Sequence, residues 1–150
     1  MKNTKIFALL FAVAMLFVAC EPSSEGKKDE NCIAKEWHIE SWNNQTPEFD
    51  VYVAFYEDGT FDLYQQVYTL NYVRYSGTFT VVDTILSGVY ADGKAWECSY
   101  NYSISADDSQ LTLNSQESIP VTSVYVNETI PEAVKAEATR VEVVDVVPFL

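Results

Sequence analysis

Val53-Ala54-Phe55-Tyr56-Glu57-Asp58-Gly59-Thr60-Phe61-Asp62-Leu63 reads as two strands and the turn between them. Asp58-Gly59 is a strong hairpin signal, because glycine takes a positive φ at no steric cost. Beyond the turn, Phe61 and Leu63 alternate with polar residues, the period of a half-buried strand. Before it, residues 50–56 are apolar on both faces. The same pattern spreads outward in both directions. Upstream, residues 35–42 place Trp37 and Ile39 on one face, His38 and Glu40 on the other. Downstream, residues 71–82 alternate with Val73, Tyr75, Gly77, Phe79 and Val81 in phase. Residues 85–91, 95–104, 110–115 and 121–128 complete a set of eight strands with 60–67. The cleanest is 95–104, where Trp96, Cys98, Tyr100, Tyr102 and Ile104 share a face. Asp92-Gly93 and Asp107-Asp108 mark further turns.

The pattern then changes. Pro131-Glu132 reads as a helix start, and 131–140 is rich in Ala, Glu and Lys, with Val134, Ala138 and Val141 as an apolar stripe to dock on the sheet. Residues 141–147 are valine-rich and leave their state open. Eight short sequential strands with tight turns favour an up-and-down meander, and closing it into a barrel removes its exposed edges. The expected fold is therefore all-β, an eight-stranded antiparallel up-and-down barrel with a short helix after it. Such a barrel is about wide enough to be filled by side chains or to hold one small ligand.

Ahead of the domain, Lys2 and Lys5 precede an unbroken apolar run from Ile6 to Val18, shorter than the roughly 20 residues that span a bilayer. With Leu16-Phe17-Val18-Ala19-Cys20 it resembles a bacterial lipoprotein signal peptide. The resemblance implies that residues 1–19 are removed and that Cys20 becomes the first mature residue, carrying a diacylglycerol thioether and an N-acyl chain. Two or more chains hold firmly to a membrane where one does not. Residues 20–33 are the lipidated cysteine and a tether, Glu21-Pro22-Ser23-Ser24-Glu25-Gly26-Lys27-Lys28-Asp29-Glu30-Asn31 having nothing apolar to pack. Lys28-Asp29-Glu30 resembles the short acidic signal by which some Gram-negative lipoproteins reach the outer face of the outer membrane. The expected location is the cell envelope, as an outer-membrane lipoprotein on its periplasmic or its cell-surface face. The barrel domain is 34–150.

The formal charge is −13, and becomes −15 without Lys2 and Lys5. That balance repels nucleic acid and anionic headgroups, so membrane contact is expected through the lipid on Cys20 alone. Cys32 and Cys98 remain. The envelope permits a disulfide between them, but Cys98 lies in an alternating apolar row, where a buried free thiol is common.

Reactive chemistry is sparse. His38 is the sole histidine, which with no cysteine cluster gives no metal set and no cofactor site. Ser24 and Lys27 form a Ser-x-x-Lys only within the tether, which holds no geometry. There is no Gly-x-Ser-x-Gly. Asp107-Asp108 reads as a solvated turn, and Arg74 lies on a polar strand face. An enzyme is not expected. Aromatic residues stand out instead, with ten tyrosines. Trp96, Tyr100 and Tyr102, facing Trp37, Phe61 and Tyr75, either line a pocket for an apolar or stacking ligand or fill the core. If those residues pack tightly and Tyr52, Tyr64 and Tyr72 form an outer patch, contact with a partner is favoured over a pocket.

Several stretches together resemble a known group: the lipobox, the tether, Lys35-Glu36-Trp37-His38-Ile39-Glu40-Ser41-Trp42, the hairpin Tyr56-Glu57-Asp58-Gly59-Thr60-Phe61, Leu86-Ser87-Gly88-Val89-Tyr90-Ala91-Asp92-Gly93 and Leu111-Thr112-Leu113. They are similar to the small bacterial lipocalin-like lipoproteins, in which a tryptophan opens the first strand. Lys35 stands where lipocalins carry the glycine of Gly-x-Trp. The resemblance implies a β-barrel, with a ligand inside in some members. Two functions follow as expectations. One is a lipid-anchored barrel holding a small hydrophobic or aromatic-stacking ligand. The other is an interaction subunit with a filled core, contacting a protein partner of unknown identity or a glycan through exposed aromatics.

Overall fold

The structure, a computed structural model, describes residues 33–140 and 147–150. The signal peptide, Cys20, the tether, Cys32 and most of the valine-rich stretch lie outside the described residues. The strands are β1 (Glu36–Trp42), β2 (Asp50–Phe55), β3 (Thr60–Gln66), β4 (Val73–Val82), β5 (Ile85–Tyr90), β6 (Tyr100–Ile104), β7 (Gln110–Ser115) and β8 (Thr122–Asn127). Helix α1 (Glu132–Glu137) and a two-residue strand β9 (Thr139–Arg140) follow. From β1 to β8 each strand pairs antiparallel with its neighbours in sequence, and β1 pairs with β8, so the meander closes into an eight-stranded barrel. No described helix is long and apolar enough to cross a membrane.

The founding hairpin forms as its residues dictate. Gly59 sits at φ 81°, its N–H donates to the Tyr56 carbonyl at 3.0 Å, and the Thr60 N–H and hydroxyl both donate to the Asp58 carboxylate. Tyr90 to Lys94 repeat this arrangement, with Gly93 at φ 88° donating to Tyr90 and Lys94 N–H donating to Asp92. After this second turn the chain leaves the ladder, which corrects the expected strand over 95–104. Only a single bridge, Val89 with Ala95, precedes the break, and β6 begins at Tyr100. The cause is Trp96, whose ring lies flat against Gly88. A Cβ on Gly88 would come within 2.2 Å of that ring. Apolar alternation survives because Trp96, Tyr100 and Tyr102 still turn inward while their backbone departs from pairing.

The early departure leaves β5 and β6 joined by only two registered pairs, Ile85 with Asn101 and Leu86 with Tyr100. Strand β4 has no room for a side chain at Gly77, where a Cβ would meet the Val89 carbonyl oxygen at 2.1 Å. From Gly77 onward it pairs with β5. Before it, β9 runs parallel along the edge at Val73 and Arg74.

Helix α1 packs on the outside of the barrel, not at an end. Ile130 and Val134 cover Tyr52, Ala54 and Tyr64, with Ala138 at the margin. This explains why β2 is apolar on both faces: Val51, Val53 and Phe55 face the interior, Tyr52 and Ala54 the helix. Glu36 anchors the arrangement by accepting from the Ile130 N–H at 2.7 Å and from Lys135 Nζ at 2.9 Å. Val141, the third member of the expected stripe, lies outside the described residues.

Candidate functional site

The two ends of the barrel differ. One carries the tight turns at Asp58-Gly59, Asp83-Thr84 and Asp107-Asp108, and Trp37 Nε1 donates to the Ile33 carbonyl at 2.9 Å, with both residues buried. The other carries the longer loops 43–49, 67–72, 91–99 and 116–121. A cavity of about 230 Å³ opens there. Trp42, Val67, Tyr68, Tyr100, Val121 and Phe149 supply much of its apolar wall, Gln65, Ser115 and Ser123 its buried polar one, and the exposed Glu97 and Glu117 also line it.

Strand phase places the polar wall. Phe61 and Leu63 face the interior, so Gln65 does too, and it is 1 % exposed. Leu111 and Leu113 bring Ser115 inward in the same way, and Tyr125 brings Ser123. An apolar row that ends in a polar residue was the legible signal for all three. Trp42 had no such signal. The β1–β8 register shifts between Ile39 and Ser41, a bulge that reverses the facing of the residues beyond it. Trp42 would otherwise share the outer face with His38. It turns to the mouth and meets Phe49 edge-on at 5.7 Å.

Of the six residues expected to line a pocket, Tyr100 lines this cavity. Trp37, Phe61, Tyr75, Trp96 and Tyr102 belong with it to one buried core. Phe61 and Trp96 meet edge-to-face at 5.1 Å, Trp96 and Tyr100 at 6.1 Å, and Tyr90 links Phe61 to Tyr75. Trp96 Nε1 and the Tyr102 hydroxyl are buried with no hydrogen-bond partner among the described residues. Tyr125, wholly buried, faces Ser123 without closing a hydrogen bond. Burial raises the Tyr100 pKa well above the ordinary tyrosine value, and the Cys98 thiol beside its hydroxyl adds to the effect. Cys98 is half-buried and bonded to no described cysteine, while Cys32 lies outside the described residues.

The segment 147–150 closes part of the mouth. Gln65 Nε2 donates to the Val147 carbonyl at 3.0 Å, and the Phe149 N–H donates to Gln65 Oε1 at 2.7 Å. Phe149 rests against Phe49 at 5.3 Å. Leu150 is 2 % exposed within the core, and the Tyr90 hydroxyl donates to its carbonyl.

The outer faces hold the ionic groups. His38 lies between Asp50, 2.6 Å from Nε2, and Glu128, 2.7 Å from Nδ1, with its ring stacked on Tyr52 at 4.1 Å. The Tyr72 hydroxyl donates to the second Asp50 oxygen. Arg74 makes a forked pair with Asp62 at 2.8 Å, and Tyr56 donates to the same carboxylate. Tyr52 and Tyr64 are buried under the helix segment, so the outer tyrosine patch is already covered by the chain itself. Asp107 accepts from Ser105 and Ser109, which hold its carboxyl down at about 2. Among the described residues no cluster of His, Cys, Asp and Glu could hold a metal ion. Comparison with family models, with curated proteins and with solved structures gave no match.

Proposed function

We propose that this chain is an envelope lipoprotein, anchored through Cys20, whose barrel binds a small ligand at its mouth. The observation that carries the reading is the cavity of about 230 Å³ whose wall is aromatic on one side and buried and polar on the other. Such a wall suits a ligand with a flat apolar body and at least one hydrogen-bonding group. The volume is below the ~300 Å³ at which drug-sized pockets begin, so the ligand is small. Binding fits better than catalysis, because His38 lies on the outer face between two carboxylates and does not line the cavity. The anchor rests on the sequence of residues 1–20.

Native mass spectrometry of the protein taken gently from its own envelope tests the binding. A bound small molecule that is lost in Trp42→Ala is the expected result. A bare mass, together with tryptophan fluorescence that no envelope extract alters, would refute it. A second reading has one observation in its favour. Tyr68, Leu70 and Ile119 are 76, 93 and 82 % exposed on the mouth loops, an apolar rim that a partner protein could cover. Leu70→Asp with Ile119→Asp would abolish such an association and leave small-molecule binding intact.

A further inference from the structure

We infer that the mouth of the barrel is a peptide-binding site and that residues 147–150 are its intramolecular occupant. The inference rests on the mouth cavity being the binding site and names the class of ligand it takes. Gln65 is the central observation. Its primary amide is 1 % exposed and aimed inward from β3, where a buried polar group needs partners. It finds them in a backbone: the carbonyl of Val147 and the N–H of Phe149, two residues apart. A residue in a parallel strand bonds its neighbour in this way, its N–H to the carbonyl of residue i−1 and its C=O to the N–H of residue i+1. The side chain of Gln65 thus acts as one rung of a parallel ladder. Residue i is Pro148, which has no N–H to lose by this arrangement.

Two further features make the site read an extended peptide. The Tyr90 hydroxyl donates to the carbonyl of Leu150, so three backbone groups within four residues are recognised. The side chains of Phe149 and Leu150 enter apolar seats, one against Phe49 and the other in the core. Recognition through backbone amides is indifferent to most side chains, so the specificity falls on the last two positions, aromatic then aliphatic. An incoming peptide must displace a tethered competitor whose effective concentration is about millimolar. A partly open cavity beside the occupant gives it a place to start.

The test uses the full chain and a labelled acetyl-Val-Pro-Phe-Leu-amide probe, followed by fluorescence anisotropy. Phe149→Ser with Leu150→Ser empties the seats, and this variant should bind the probe at least tenfold more tightly than the parent. Adding Gln65→Met should reverse the gain by about tenfold. A folded double variant that ignores the probe, or binding indifferent to Gln65→Met, would overturn the inference. Should the double variant fail to fold, the parent chain labelled with ¹⁵N-phenylalanine decides. Millimolar unlabelled probe should move the Phe149 amide resonance to an unstructured position, and an unmoved resonance overturns the inference. A non-peptide molecule found by native mass spectrometry alongside absent probe binding would sink this inference and leave the small-ligand reading standing. The absence of both would sink both.

Discussion

Two of the three tryptophans play different parts: Trp96 holds the core and Trp42 faces the mouth. Trp96→Ala is expected to cost about 3–5 kcal/mol, read by urea denaturation, since its ring fills the space over Gly88. Trp42→Ala should cost far less, its ring being 39 % exposed, and should remove ligand binding instead. Equal losses of stability would show that Trp42 is a core residue after all. Gly88→Ala should destabilise by about 1–3 kcal/mol by driving its methyl into the Trp96 ring. Tyr102→Phe points the other way. A buried hydroxyl without a partner costs about 1–3 kcal/mol, so its removal should leave stability unchanged or raise it. A clear loss in Tyr102→Phe would reveal a hydrogen bond to a residue outside those described.

Among the elements, strands were the most legible, because hydrophobic phase and Asp-Gly turns are local signals. Strand β7 falls on the expected 110–115, and β2 is apolar on both faces because a second layer covers its outer one. Three features were not legible, each set by a distant partner. The bulge between Ile39 and Ser41 depends on β8, the break at 95–99 on a ring seated over Gly88, and the parallel pairing of β9 on an edge that β5 leaves open. The candidate site was half legible for the same reason. Phase marks Gln65, Ser115 and Ser123, but nothing in the neighbourhood of residues 147–150 announces a partner 82 positions away. The helix gives a test at this scale. Ile130→Ala should cost about 2–5 kcal/mol and expose Tyr52 and Tyr64, raising the binding of an apolar dye. No change in dye binding would mean that the helix contributes no cover.

For the whole molecule, the tyrosines set its alkaline limit. Burial raises the pKa values of Tyr90, Tyr100 and Tyr125 above the ordinary value of 10.0. The folded chain therefore keeps their protons where the unfolded chain gives them up. Stability from these groups is intact below about pH 10 and falls above it, by about 1.4 kcal/mol per pH unit for each tyrosine. Tyrosinate absorbance and loss of structure should rise together above that pH. A full tyrosinate signal from a chain still folded would contradict the burial. The barrel's closure has a kinetic consequence as well. Hairpins β2–β3, β4–β5 and β7–β8 join near neighbours, but the β1–β8 seam includes a bond across 91 positions, from the Asn127 side-chain amide to the Glu36 carbonyl. Such a contact carries the largest loop-closure entropy and forms after the local ones. Weakening the seam should therefore speed unfolding while barely slowing refolding, so the life of the folded barrel is governed by the rate at which that one seam parts.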